Sequence, residues 1–216
     1  DASGKLDDTI IVVTSDNGPE PSDPVHARGM NLWMPLHGYS WKVETLGERG
    51  SLAFIGPEWA AAISSPGSLF KFYTTEGGLR VPCILWWPGV VPAGSTTGEI
   101  VTSLDFVPTF AALGGAAAPA DRIIDGFDMA HLMRTPDGSG PRETFFYYMG
   151  DRLHAVRHGP WKLHVWRDNG AVRELYNLRD DRAETRDVAA EQPDTVAVLE
   201  ALAEAMREDI GDGATG

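Results

Sequence analysis

Asp16 and Asn17 stand side by side at the end of the run Ile10-Ile-Val-Val-Thr-Ser-Asp-Asn-Gly18. They offer carboxylate and amide oxygens, hard donors that suit Ca²⁺ or Mg²⁺ far better than a thiol-seeking ion. The aliphatic and β-branched residues before them read as a strand buried on both faces, as in a parallel α/β sheet. Ligands bind at the carboxyl edge of such a sheet. Gly18 and Pro19 then turn the chain away. The same string also fits a strand followed by an Asx-type turn, since Asp, Asn and Gly are common turn formers. A second segment has to decide between the two.

That segment is Phe70-Lys71-Phe-Tyr-Thr-Thr-Glu76-Gly-Gly-Leu-Arg80-Val-Pro82, which leads into Cys83-Ile-Leu-Trp-Trp-Pro-Gly89. It resembles the Lys-x-x-x-x-Glu-Gly-Gly-x-Arg-x-Pro signature of the sulfatase family (arylsulfatase-like, within the alkaline phosphatase superfamily). The Ser-Asp-Asn-Gly strand end precedes it in the family's order. Ser103-Leu-Asp105-Phe-Val-Pro108-Thr109 and Glu174-Leu-Tyr176-Asn-Leu178 are similar to later landmarks. The matches run from about Asp7 to about Ala190, and the stretch from Phe54 to Gly78 leans towards the bacterial arylsulfatases. A soluble protein of a bacterial cytoplasm or periplasm is the setting this implies.

The resemblance implies a metal at Asp16 and Asn17, Ca²⁺ with Mg²⁺ as the alternative, and a substrate-binding and catalytic role for Lys71. A cation would draw electron density from a sulfate ester, and the Lys71 ammonium would stabilise charge building on a sulfate oxygen. The bland alternative for Lys71 is a solvated surface lysine. Glu76 and Arg80 are expected to form an ion pair that fixes the Gly77-Gly78 turn and so aims Lys71. The family nucleophile is a formylglycine made from the Cys or Ser of Cys/Ser-x-Pro-x-Arg, and this sequence has no such string. Ser22-Asp-Pro24-Val-His26 is the nearest, with His in place of Arg. The only cysteine, Cys83, sits in an apolar run and reads as a small buried hydrophobe. These residues are therefore expected to be the carboxyl-terminal part of a larger enzyme, inactive alone and partnered by the missing amino-terminal part.

The elements that must position these residues fall into two regions. Residues 1–135 are expected to close the family's α/β catalytic domain, the end of an alkaline-phosphatase-like mixed sheet with flanking helices. Residues 19–57, rich in Gly, Pro, His and Trp, read as a long surface loop of the kind that is often functional. His26 and His37 lie in that loop and read as solvated, while Trp33, Trp41 and Trp59 read as core. Pro57 to Ile63 predicts one or two helical turns. Ser103 to Leu113 predicts a short helix, capped by Ser103 or Asp105 and ended by Gly114-Gly115.

Residues 136–216 are expected to form a small four-stranded antiparallel sheet packed with a carboxyl-terminal helix. Thr144–Tyr148, Leu153–Arg157, Trp161–Trp166 and Val172–Tyr176 are the strand candidates, with Asn169-Gly170 as a hairpin turn. Pro193 opens a helix in which Val196, Leu199, Leu202, Met206 and Ile210 recur on one face. His131, His154, His158 and His164 show no metal-ligand spacing.

A chain of 216 residues can bury a real core. Its net charge of −13 argues against a nucleic-acid surface, and no stretch approaches the roughly 20 apolar residues of a membrane span. The partner that the resemblance implies is a small-molecule sulfate ester, and neither nucleic acid nor membrane is expected. Two other readings stay open: a related phosphodiesterase or phosphonate monoester hydrolase on the same scaffold, and a catalytically dead binding module.

Overall fold

The computed structural model describes residues 3–167 and 170–213. Asp1, Ala2 and the Asn169 of the expected Asn169-Gly170 turn lie outside the described residues. The molecule is a mixed α/β structure with two sheets. β1 (Ile11–Thr14) pairs antiparallel with β2 (Cys83–Trp86) in a two-stranded sheet. The expectation of a strand buried on both faces is corrected here. Val13 and Ile84 are more than half exposed, because among the described residues the pair has no further strand at either edge and little over its faces. Cys83, on β2, is exposed for the same reason and is not a core residue.

The connection between β1 and β2 is more ordered than a loop. It holds α1 (Met30–Leu36) and α2 (Gly56–Ser64), two single turns of tighter helix, and the short α3 (Glu76–Leu79). Trp33 and Trp59 lie on the outer faces of α1 and α2, 45% and 68% exposed, so they do not serve as core. Beyond β2, a tight turn over Ser103–Asp105 leads into α4 (Phe106–Leu113), which Gly114 ends. The Asp105 carboxylate receives the Thr102 backbone N–H at 2.7 Å, so Thr102, rather than Ser103, is the capping residue. α5 (Ala130–Arg134) completes this region.

The second sheet is a meander of β3 (Thr144–Met149), β4 (Arg152–His158), β5 (Trp161–Arg167) and β6 (Gly170–Asn177), all antiparallel. Side chains alternate between its faces, and the register Val156↔Leu163↔Leu175 puts three apolar residues in one row. That row packs against Val196, Leu199 and Ala203 of α6 (Pro193–Ile210), giving the main hydrophobic core. Ile210, expected on the same face, is exposed, because it ends the helix where Gly211 (φ 90°) turns the chain back to the sheet. There Asp212 accepts the Leu153 N–H at 2.7 Å, and Tyr148 donates to the Gly211 carbonyl. Among the described residues no helix is long and apolar enough to cross a membrane.

Candidate active site

Asp16 and Asn17 follow directly on β1, where Thr14 ends the pairing with Cys83. Two backbone hydrogen bonds then tie the turn after them to the lysine segment. Gly18 N–H donates to the Gly78 carbonyl at 2.8 Å, and Lys71 N–H donates to the Pro19 carbonyl at 3.1 Å. Gly18 has to be glycine, since a Cβ there would meet the carbonyl oxygens of Gly77 and Gly78. The strand end and Lys71 are separated by more than fifty residues in sequence, yet backbone contact joins them.

The segment carrying Lys71 is folded tightly over α3. Leu69 (φ 59°) and Phe72 (φ 82°) both take left-handed backbone conformations on either side of Lys71, which a side chain tolerates only where surrounding contacts enforce them. The enforcing contacts are visible. Thr75 Oγ1 donates to the Ser68 carbonyl at 2.7 Å, Ser64 Oγ donates to the Leu69 carbonyl at 2.6 Å, and Gly77 N–H donates to the Ser68 carbonyl at 3.0 Å. A Cβ on Gly77 would strike the Leu69 and Ser68 carbonyls, and one on Gly78 the Tyr73 and Phe70 carbonyls. The glycine pair thus lets the lysine loop lie against the helix.

These segments enclose an open cavity of about 760 Å³ whose wall includes Asp16, Asn17, Glu20, Lys71, Arg80 and Arg182. The three residues singled out from sequence therefore share one pocket. The Lys71 ammonium sits 2.7 Å from the Glu20 carboxylate, both partly exposed. That hydrogen bond holds Lys71 above its ordinary pKa and Glu20 below its own, and Asp16 adds to the effect on Lys71. Lys71 is a full cation at neutral pH, resting on a carboxylate where an anionic ligand's oxygen could sit. Asp16 and Asn17 supply the hard-oxygen chemistry that Ca²⁺ or Mg²⁺ takes. Among the described residues no group of three or more His, Cys, Asp or Glu side chains could hold a metal.

The expected Glu76–Arg80 pairing is present but loose, at 3.8 Å with Arg80 about half exposed. What fixes the turn is a buried network that the sequence reading missed. Lys162 Nζ, fully buried on β5, lies 3.0 Å from Glu76 and 3.2 Å from Glu184. Glu184 also accepts the Glu76 backbone N–H at 2.8 Å, capping α3 from 108 residues away. His164 Nε2 lies 2.6 Å from the same carboxylate. Burial pushes the His164 imidazole below its usual pKa, so the neutral ring donates from Nε2. Burial acts to raise Glu184, but the His164 hydrogen bond and the Lys162 charge outweigh it and hold the carboxyl at about 2. Lys162 and His164 are two apart on a strand, hence on the same face, opposite Leu163. A Lys and a His on the second face of a strand with apolar neighbours was the available signal that something charged must cover that face.

The other residues considered from sequence stay apart. His26 pairs with Asp23 on the surface, and His37 stacks on Trp33 at 4.0 Å. Arg182, on the loop after β6, and Glu20 were not identified from sequence although both line the cavity.

Comparison with known proteins gives the family. The Sulfatase family profile matches residues 1–116, and the profile described as N-sulphoglucosamine sulphohydrolase, C-terminal, matches residues 67–211. An N-acetylgalactosamine-6-sulfatase from Canis lupus familiaris is 39% identical over 129 residues, covering 56% of this chain and 24% of that protein. An arylsulfatase from Hemicentrotus pulcherrimus is 45% identical over 108 residues, covering 50% and 19%. The crystal structure of Ps i-CgsB in complex with k-i-k-neocarrahexaose superposes with a TM-score of 0.68 at 25% identity, covering 99% of this chain and 39% of that one. The chain spans a quarter or less of the length of these two curated relatives. On the strength of two profiles that each cover more than half of it, the chain belongs to the sulfatase family.

Proposed function

We propose that this chain is the carboxyl-terminal share of an arylsulfatase-like enzyme that hydrolyses sulfate esters. The supporting observation is the convergence of Asp16, Asn17 and Lys71 on one cavity, held there by the Gly18–Gly78 and Lys71–Pro19 backbone bonds. In this reading Asp16 and Asn17 hold part of a Ca²⁺ site, with Mg²⁺ as the alternative. When bound, the cation supplies Lewis-acid polarisation of the ester, and a formylglycine outside these residues supplies the nucleophile. Lys71 contacts a sulfate oxygen and offsets the charge that develops there. Glu20 keeps the lysine side chain in place until the sulfate displaces it. The coverage of the relatives and the C-terminal profile support the assignment to the end of a longer protein.

The test uses the full-length enzyme. Expected is turnover of 4-nitrophenyl sulfate well above that of bis(4-nitrophenyl) phosphate, with loss on chelation and recovery on adding Ca²⁺. Asp16→Ala and Asn17→Ala weaken cation binding, measured directly by titration. Lys71→Ala lowers kcat on the order of 10²- to 10³-fold, the usual cost of removing a group that stabilises developing charge. Preferential turnover of the phosphodiester would move the enzyme to the related phosphodiesterase class, and full activity in Lys71→Ala would remove the proposed role of the cavity.

A further inference from the structure

Three cations line the cavity, and they differ in how they are held. Lys71 has Glu20 at 2.7 Å and Arg80 has Glu76 at 3.8 Å. Arg182 makes no hydrogen bond or ion pair among the described residues, although it forms part of the same wall. It comes from the second sheet's side of the molecule, on the loop between β6 and α6, while the other two come from the α3 side. An arginine without a carboxylate partner, on the wall of the pocket that also holds Lys71, has the chemistry to meet a second anion.

The loop that carries Arg182 is fixed at both ends. On one side the Asp181 carboxylate accepts the Thr185 N–H at 2.8 Å, the Thr185 hydroxyl at 3.0 Å and the Arg186 N–H at 2.9 Å, while the Asp181 N–H donates to the Asn177 carbonyl at 2.8 Å. On the other side Glu184 takes a left-handed conformation (φ 52°), which a non-glycine residue keeps only under constraint. The constraint is its carboxylate, bonded to the Glu76 N–H, Lys162 and His164. Arg182 therefore stands two residues from the clamp that caps α3, and its backbone is fixed relative to the Lys71 loop. Arginine's planar fork matches sulfate and carboxylate bidentately, and a fixed backbone reduces the ordering cost of using it.

We propose that Arg182 forms a second anion subsite and selects substrates that carry another oxyanion, a sulfate or a carboxylate, beside the scissile sulfate ester. This rests on the sulfatase reading above. Uncharged alcohol portions would leave the guanidinium without a partner, so doubly charged saccharides are favoured over singly charged ones.

The experiment compares the full-length enzyme with its Arg182→Ala and Arg182→Lys variants on two matched pairs. The first pair is N-sulfoglucosamine 6-sulfate against N-acetylglucosamine 6-sulfate. The second is a uronic acid 2-sulfate against its methyl ester. The wild type is expected to prefer the charged member of one pair by KM, and Arg182→Ala to reduce that preference on the order of 10- to 100-fold, as loss of a charged hydrogen-bonding partner does. Arg182→Lys, a point charge without the fork, is expected to restore only part of it. Loss confined to the first pair identifies a second sulfate, and loss confined to the second identifies a carboxylate. Turnover of 4-nitrophenyl sulfate by the wild type tests the sulfatase reading separately. An enzyme that hydrolyses it but prefers neither charged member, or keeps its preference in Arg182→Ala, overturns the subsite and leaves that reading standing.

Discussion

Lys71 and Glu20 form an exposed ion pair at the place where an anion is expected, and this sets up a competition. A surface pair of this kind contributes little, so a sulfate oxyanion beside a cation displaces Glu20 easily. Removing the competitor should still be measurable. Glu20→Gln is expected to tighten inhibition by inorganic sulfate about two- to fivefold, within the range of a surface pair, and weaker inhibition would mean that Glu20 assists binding. A second prediction concerns His164 and Glu184. The folded state lowers the His164 pKa from 6.5, so only the unfolded chain takes a proton just below pH 6.5, and stability falls as the pH drops from there. Glu184 moves from 4.5 to about 2, which corresponds to about 3 kcal/mol of stability. That contribution is present above pH 4.5 and is lost as the pH falls towards 2. The thermal midpoint should therefore decline on acidification from pH 7, and His164→Gln should flatten the part just below pH 6.5. A midpoint that rises between pH 7 and 5 would show that His164 is charged in the folded protein.

At the scale of elements, α3 and β5 are coupled by charges that neither could bury alone. Four residues make too short a helix to hold its own shape in water. α3 persists because Glu184 caps its first N–H and Lys162 meets its Glu76 side chain. Lys162 also lies over the Tyr147 ring, 4.5 Å from its centre. Lys162→Met leaves two carboxylates buried without their cation, a change that costs about 3–5 kcal/mol. The same variant should lower kcat, because α3 supports the Lys71 loop through the Gly77–Ser68 bond. In a double-mutant cycle, Lys162→Met with Glu76→Gln should cost clearly less than the two singles together. Simple additivity in denaturant unfolding would show that the two residues act independently. A second buried pair, Arg142 with Asp105, links β3's approach to α4, with Arg142 stacked 4.7 Å from Phe127. The two regions are thus tied by ion pairs.

For the whole molecule, burial is uneven. The second sheet and α6 form a dry core with Leu153, Val156, Leu163, Leu175 and Val196 at zero exposure. The first region leaves Leu36, Val43, Val107 and Ile123 exposed, along with the open faces of β1 and β2. Apolar surface and free strand edges of this kind mark places where another part of a protein packs or where chains aggregate. Residues 1–216 expressed alone are therefore expected to bind a hydrophobic dye and to aggregate on warming, whereas the full-length enzyme should not. A cooperative, aggregation-free transition of this chain by itself would count against its being one part of a larger fold and in favour of a free-standing binding module.

The division between what was legible and what was not follows range in the chain. The second sheet, α6, α2 and α4 were legible in the residue order, since period-two and helical patterns with their caps and turns are local signals. The sequence also picked out Asp16, Asn17 and Lys71 through strings that resemble a family signature. It misjudged β1, Cys83, Trp33 and Trp59, because an apolar residue's type does not say whether a neighbour exists to cover it. It took the folded chain to show that Lys162, not Arg80, is the close partner of Glu76, and that Glu20 and Arg182 line Lys71's cavity. Lys162 and Glu76 are 86 positions apart, and a buried charge chooses its partner by proximity in space, where burial strengthens the attraction and makes an unpaired charge costly.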